Sequence, residues 1–159
     1  MHKATLNSMR TLVQLIFFFV FTGIISAQEA NVVKSLERKL KTAHEDTVKV
    51  RLLIELSKEY RMTDTSLSVE LINESIELSS QTSYALGLGM SYETLGELKY
   101  QNGNYLQSIA QFKNAQSQYV LAGENAKLAG AIVDEGNANL FLSNYDLALE
   151  KYQAAHQIF

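Results

Sequence analysis

The 159-residue sequence has no cysteine, no proline and no tryptophan. Without cysteine there is no disulfide, no thiol nucleophile, no cysteine-ligated metal and no lipid carried on a cysteine. Without proline, no residue breaks a helix by removing a backbone donor. The abundant Leu, Ala, Gln, Glu and Ser then favour an all-helical chain. A strong excess of one charge is also lacking, with 14 Lys and Arg against 17 Asp and Glu. The densest basic stretch, KSLERKLK at residues 34–41, alternates with Leu and Glu and reads as the solvated face of a helix. Such a chain has no electrostatic footprint for nucleic acid. What is present is a hydrophobic fraction of 47%, with 8 Tyr and 7 Phe, enough for the core of one domain.

The N-terminus differs from the rest. Lys3 and Arg10 precede the apolar run LVQLIFFFVFTGII at residues 12–25, and Ser26 and Ala27 follow. A basic start, a short apolar centre and small residues at its end predict a secretory signal peptide over residues 1–27, cleaved after Ala27. The run is shorter than the roughly 20 apolar residues of a membrane span. An uncleaved N-terminal anchor is the competing reading, since the two cations would orient either segment alike. Residues 28–159 carry 12 Lys and Arg and 17 Asp and Glu, a formal charge of −5.

A pattern recurs every forty residues. GELKYQNGNYLQSIAQFKNA at 96–115 is matched by GNANLFLSNYDLALEKYQAA at 136–155. Ser68, Ser108 and Ala148 form a small column, and Ile72, Phe112 and Tyr152 a large one. Ser75, Ala115 and Ala155 form a second small column, and Ser57, Gly96 and Gly136 a third. Spacings of four and three place the first three columns on one helix face. Tyr105 and Tyr145 form a large column ahead of that helix.

These positions predict antiparallel helix pairs whose small residues permit close approach while rings fill the remaining space. Gly103 suits the left-handed end of one helix, and Asn104 or Asn144 can cap the next. Helices are expected over 31–42, 47–62, 66–79, 84–102, 105–122, 125–142 and 145–159. Residues 28–45 form an N-terminal helix and linker, and 46–159 a repeat domain with units near 47–82, 84–123 and 125–159. One hairpin cannot bury its apolar face alone, so the units must stack. The last unit stops at Phe159, inside an expected helix and with no polar cap. The expectation is that the chain is part of a longer protein and that this unit is truncated.

The columns resemble the tetratricopeptide repeat. In the middle unit the matching residues are Tyr92, Leu95, Gly96, Tyr100, Gly103, Tyr105, Ser108, Phe112 and Ala115. In the last unit they are Gly136, Tyr145, Ala148, Tyr152 and Ala155, and in the first Leu56, Ser57, Tyr60, Ser68, Ile72 and Ser75. A forty-residue period without proline departs from the usual shorter unit. The resemblance implies an all-α open solenoid of about three antiparallel hairpins after the signal peptide and a short helix. The arrangement is also similar in style to the exported N-terminal regions of Bacteroidetes-type signalling proteins. There a membrane helix and a histidine kinase, cyclase or regulator domain follow.

Catalytic constellations are weak. His44 stands beside Glu45 and Asp46, but adjacent residues do not converge on a helix. A turn in which Asp46 or Thr47 caps a helix is the simpler reading. His156 is a lone residue on the last helix. Glu93 and Glu97 share a face, yet lack a nucleophile and a closed pocket, so a polar face outweighs acid–base work. GLGMSYETLG at 87–96 follows no strand and is no phosphate loop. No metal or cofactor is therefore expected.

The resemblance implies a concave groove lined by the first helix of each pair. Carried over by position, its residues are Ile54, Lys58, Arg61, Met90, Glu93, Glu97, Tyr100, Val133, Asn137 and Leu140. The family's carboxylate clamp is absent, because Ile54, Lys58, Thr94, Gly130 and Asp134 occupy its positions. A chaperone tail is thus not the implied ligand. The expected function is a non-catalytic, exported protein–protein interaction module that binds a peptide or protein, with self-association as one form, in the periplasm or on the outer face of the inner membrane. The alternative is the sensory part of a membrane receptor. Solvated helix faces with no ligand are the plain competing reading.

Overall fold

The computed structural model describes residues 31–158, and all its regular structure is helical. In chain order the helices are α1 (31–42), α2 (Asp46–Tyr60), α3 (Thr65–Gln81), α4 (Ala85–Gln101), α5 (Tyr105–Ala122), α6 (Asn125–Phe141) and α7 (Tyr145–His156). The predicted helices all appear, with ends displaced by at most three residues. The signal-peptide reading of residues 1–27 lies outside the described residues. Among the described residues, no helix is long and apolar enough to cross a membrane.

From α3 onward the helices begin at 65, 85, 105, 125 and 145, so the local period is twenty. The turns explain it. Ser83, Gly103, Gly123 and Ser143 all have positive φ, between 53° and 75°. The residue after each donates its amide five places back, Tyr84 to Ser79, Asn104 to Lys99, Glu124 to Tyr119 and Asn144 to Asn139, at 2.9–3.0 Å. This is the 6→1 closure of a Schellman motif, which satisfies a carbonyl left open by the ending helix. Gly103 has the conformation its sequence predicts. The expected asparagine caps do not form: Asn104 and Asn144 make no side-chain capping bond. The Asn144 amide turns instead to Asn139 Oδ1, at 3.4 Å. Nor do Asp46 or Thr47 cap α2. Its N-cap is Glu45, and Asp46, the first helical residue, pairs with Lys49 at 2.9 Å. Asp64 does cap α3, accepting from the Leu67 amide at 3.0 Å.

Each helix packs on its sequence neighbours, and α2 also touches α4. The small and large columns meet inside the hairpins. A Cβ added at Gly96 would lie 2.6 Å from the Phe112 ring, and one at Gly136 would lie 2.7 Å from Tyr152. Ser68, Ser75, Ser108, Ala115, Ala148 and Ala155 are all buried, as is Ile72. In the first hairpin hydroxyls replace the glycine. Ser68 Oγ donates to the Ser57 carbonyl at 2.8 Å and meets Ser57 Oγ at 3.0 Å. Between hairpins, Ser75 Oγ meets Ser91 Oγ across α3 and α4. At the N-terminal end, Leu36 of α1 is buried with Leu52 and Leu56 of α2, and the Tyr60 hydroxyl donates to Glu37 at 2.9 Å.

Tyr145 departs from its column. Tyr105 stacks on Phe141 with centroids 5.1 Å apart, and both pack edge-on against Tyr100 at 5.4 Å. Tyr145, forty places on, is 64% exposed. The ring that covers Tyr105 comes from the end of the following helix, and no described helix follows α7.

Candidate functional site

Three of the helices, α2, α4 and α6, contribute to one polar face. Helices α2 and α4 are in contact, and Tyr100 of α4 meets Phe141 of α6. Lys58 and Arg61 lie at the α2 side, close enough to bias the Glu97 carboxyl. Glu93 and Glu97 stand one turn apart on α4, with Tyr100 three residues further. Asp134 and Asn137 face them from α6.

Most of the residues carried over from the repeat register lie on accessible surface. Lys58, Val133 and Leu140 are exposed, whereas Arg61, Met90, Glu93, Glu97, Tyr100 and Asn137 are half-buried. Ile54 is different: it is 2% exposed and belongs to the core. The α2 position that would contact a partner there is filled by packing against neighbouring helices.

Beneath this face lies Tyr119 of α5, which the sequence columns do not include. Its ring is fully buried and lies against Gly89, where an added Cβ would be 2.7 Å away. Its hydroxyl donates to Glu93 Oε2 at 2.7 Å, and Lys127 Nζ stands 5.9 Å from the ring centroid. Burial first, then the Glu93 hydrogen bond and the nearby carboxylates, hold the phenol well above its ordinary range. It is therefore a neutral donor that orients Glu93. Gly89 precedes Gly96 by seven residues, and Tyr119 follows Phe112 by seven. The ring-over-glycine contact thus repeats two turns along the same hairpin, a signal present in the sequence at helical spacing. Its forty-residue counterparts are Ser79 before it and Phe159 after it, so the column is large in only two of the three units.

The acids on this face are unevenly solvated. Asp134 is pushed up to about 6 by burial, then by the Glu93 and Glu97 charges, with the Asn137 hydrogen bond opposing. Glu97 is also raised, chiefly by burial, with Lys58 and Arg61 pulling the other way. Among the described residues, Glu93, Glu97 and Asp134 make no ion pair within 4.0 Å. The described residues contain no group of three or more His, Cys, Asp or Glu arranged to hold a metal ion.

A second residue missed by sequence reasoning is the acid Glu135, 2% exposed. It accepts from Gln116 Nε2 at 2.9 Å and pairs with Lys151 at 3.4 Å and Lys113 at 3.6 Å. Gln116 also donates to the Ala131 carbonyl at 3.2 Å. The carboxylate ties α5, α6 and α7 together and is enclosed, so its role is structural. Tyr152 adds a further tie, donating to Asn137 Oδ1 at 2.9 Å. This bond fixes Asn137 on the polar face from the helix behind it.

No protein-family model matches the chain, and no curated protein matches it in sequence.

Proposed function

We propose that the chain is a non-catalytic interaction module of the tetratricopeptide-repeat kind, which receives a peptide or protein partner along the face formed by α2, α4 and α6. The observation that carries this reading is the repeated hairpin, with Phe112 over Gly96 and Tyr152 over Gly136. That packing spends the inner faces of α4 and α6 on their own hairpin partners. Their other faces carry Tyr100, Val133 and Leu140 beside Glu93, Glu97 and Asn137, half-buried or exposed. Apolar side chains among charges on neighbouring, regularly spaced helices are what a partner segment can use as anchors. The reading includes export by residues 1–27 and action in the cell envelope, alone or as part of a signalling receptor.

Photo-crosslinking in the native cells tests it. A crosslinkable residue at Val133 or Leu140 should yield discrete protein adducts. The same residue at Leu106 or Leu121, exposed on α5, should not. Equal adducts from both sets, or none from α6, would remove this face as the binding surface.

A further inference from the structure

The exposed apolar face of α6 lacks a partner among the described residues, and its surroundings restrict what could cover it. Val133, Leu140 and Phe141 are exposed on this helix, Leu140 at 44% and Phe141 at 59%. Residues seven apart, such as Val133 and Leu140, lie on one stripe. Tyr100 meets Phe141 edge-on and extends the apolar surface onto α4. Next to this stripe stand Glu93, Glu97 and Asp134, with the Glu93 charge raising Glu97 and both glutamates raising Asp134. None has an ion-pair partner within 4.0 Å among the described residues. The cations Lys58 and Arg61, at the α2 side, act on the Glu97 carboxyl but form no ion pair with any of the three.

An acidic covering segment would add to the repulsion among these three carboxylates. A purely apolar one would strip water from them without compensation. A segment with apolar side chains on one side and Arg or Lys beside them would cover the stripe and neutralise the carboxylates together. We infer that the α4–α6 face docks a basic amphipathic peptide segment, its apolar side chains on Val133, Leu140 and Phe141 and its cations at Glu93, Glu97 and Asp134. The inference rests on the proposed binding face and assigns the chemistry of its partner.

Three synthetic probes of about 14 residues, four helical turns if helical, provide the test on the purified chain. One alternates Leu positions at helical spacing with Arg, one replaces Arg with Glu, and one replaces Leu with Ser. Binding is read by fluorescence anisotropy at physiological salt. The Leu/Arg probe should bind at least about tenfold more tightly than either of the others. The double variant Glu93→Gln, Asp134→Asn should weaken it by about tenfold or more, and so should Leu140→Ser alone. Leu140 is exposed, so Leu140→Ser remains informative if the double variant folds poorly. Leu121→Ser on α5 should leave binding unchanged.

Equal binding of the Leu/Glu probe overturns the inference. So does an affinity for the Leu/Arg probe that neither groove variant alters, or no binding at all. A stable dimer that Glu93→Gln, Asp134→Asn dissolves would give the face to a second copy, whose α1 exposes Lys34, Arg38, Lys39 and Lys41, and would also overturn it. Adducts from Val133 and Leu140 in cells, combined with failure of the basic probe, would remove the basic-partner inference while leaving the binding face in place.

Discussion

The Phe112 ring lies across Gly96, with Cε1 2.6 Å from where a Cβ on that glycine would stand. Phe112 is buried and cannot swing into solvent. Gly96→Ala should therefore destabilise the chain by about 1–3 kcal/mol, the usual cost of overpacking a filled core. The double variant Gly96→Ala, Phe112→Leu should recover part of the loss, because the smaller side chain vacates the contested volume. Tyr152 is only half-buried, so Gly136→Ala should cost less. Urea titrations of the three variants and the parent check this ordering. A Gly96→Ala chain as stable as the parent would mean that the hairpin relaxes around the methyl group.

Ser83 and Ser143 hold left-handed conformations at φ 53° and 62°, where the equivalent turns carry Gly103 and Gly123. A side chain in that region is strained, and glycine is not. Ser83→Gly and Ser143→Gly should each stabilise by about 0.5–1 kcal/mol, while Gly103→Ala and Gly123→Ala should destabilise by a similar amount. No atom lies within 4 Å of a Cβ added at Gly103 or Gly123, so the effect there is conformational and not steric. Thermal melts should separate the two pairs by sign.

The fold was legible because its repeat is written in residue size. Gly96 with Phe112, and Gly136 with Tyr152, fix both the helix pairing and its register. The helix limits followed from the turns, but the caps did not. Backbone closure onto carbonyls five residues back satisfies the turns without the asparagine side chains. Glu135 escaped because Leu95 stands forty places before it, and Tyr119 because its column, with Ser79 before it and Phe159 after it, is not large in every unit. Their significance is tertiary, in a hydrogen bond to Glu93 and a contact among three helices. Ile54 was drawn onto the face by position alone, whereas its burial depends on how closely the neighbouring helices approach.

Glu135 is enclosed, but its two lysines are not alike, Lys113 being 60% exposed and Lys151 24%. Glu135→Ala should destabilise by about 3–5 kcal/mol, since it strands the Gln116 amide and the Lys151 ammonium in a poorly solvated site. Lys113→Ala should change stability by no more than about 0.5 kcal/mol, because its charge is already hydrated. Denaturant midpoints for the two variants decide the point. Equal effects would mean that Lys113, not burial, governs the network.

Asp134 gives the chain a pH dependence of definite sign. Its carboxyl is pushed up from 3.8 to about 6 in the folded chain, chiefly by burial and then by the Glu93 and Glu97 charges. A group whose folded value is raised favours the folded state most below its unfolded value, and that contribution is lost as pH rises through about 6. Glu97, also raised, acts in the same direction. From this face, then, stability falls between about pH 4 and pH 6.5. Asp134→Asn should raise the melting temperature at pH 7.5, have little effect near pH 4, and flatten the profile between. An NMR titration of the Asp134 carboxyl supplies the direct value, and a midpoint near the ordinary 3.8 would show that water and the Asn137 hydrogen bond outweigh burial. A basic segment bound at this face would lower that midpoint. Its affinity should therefore increase from pH 5 to pH 7.5, over the same interval in which the free chain loses stability, because the bound cation compensates the charge that destabilises the unoccupied face.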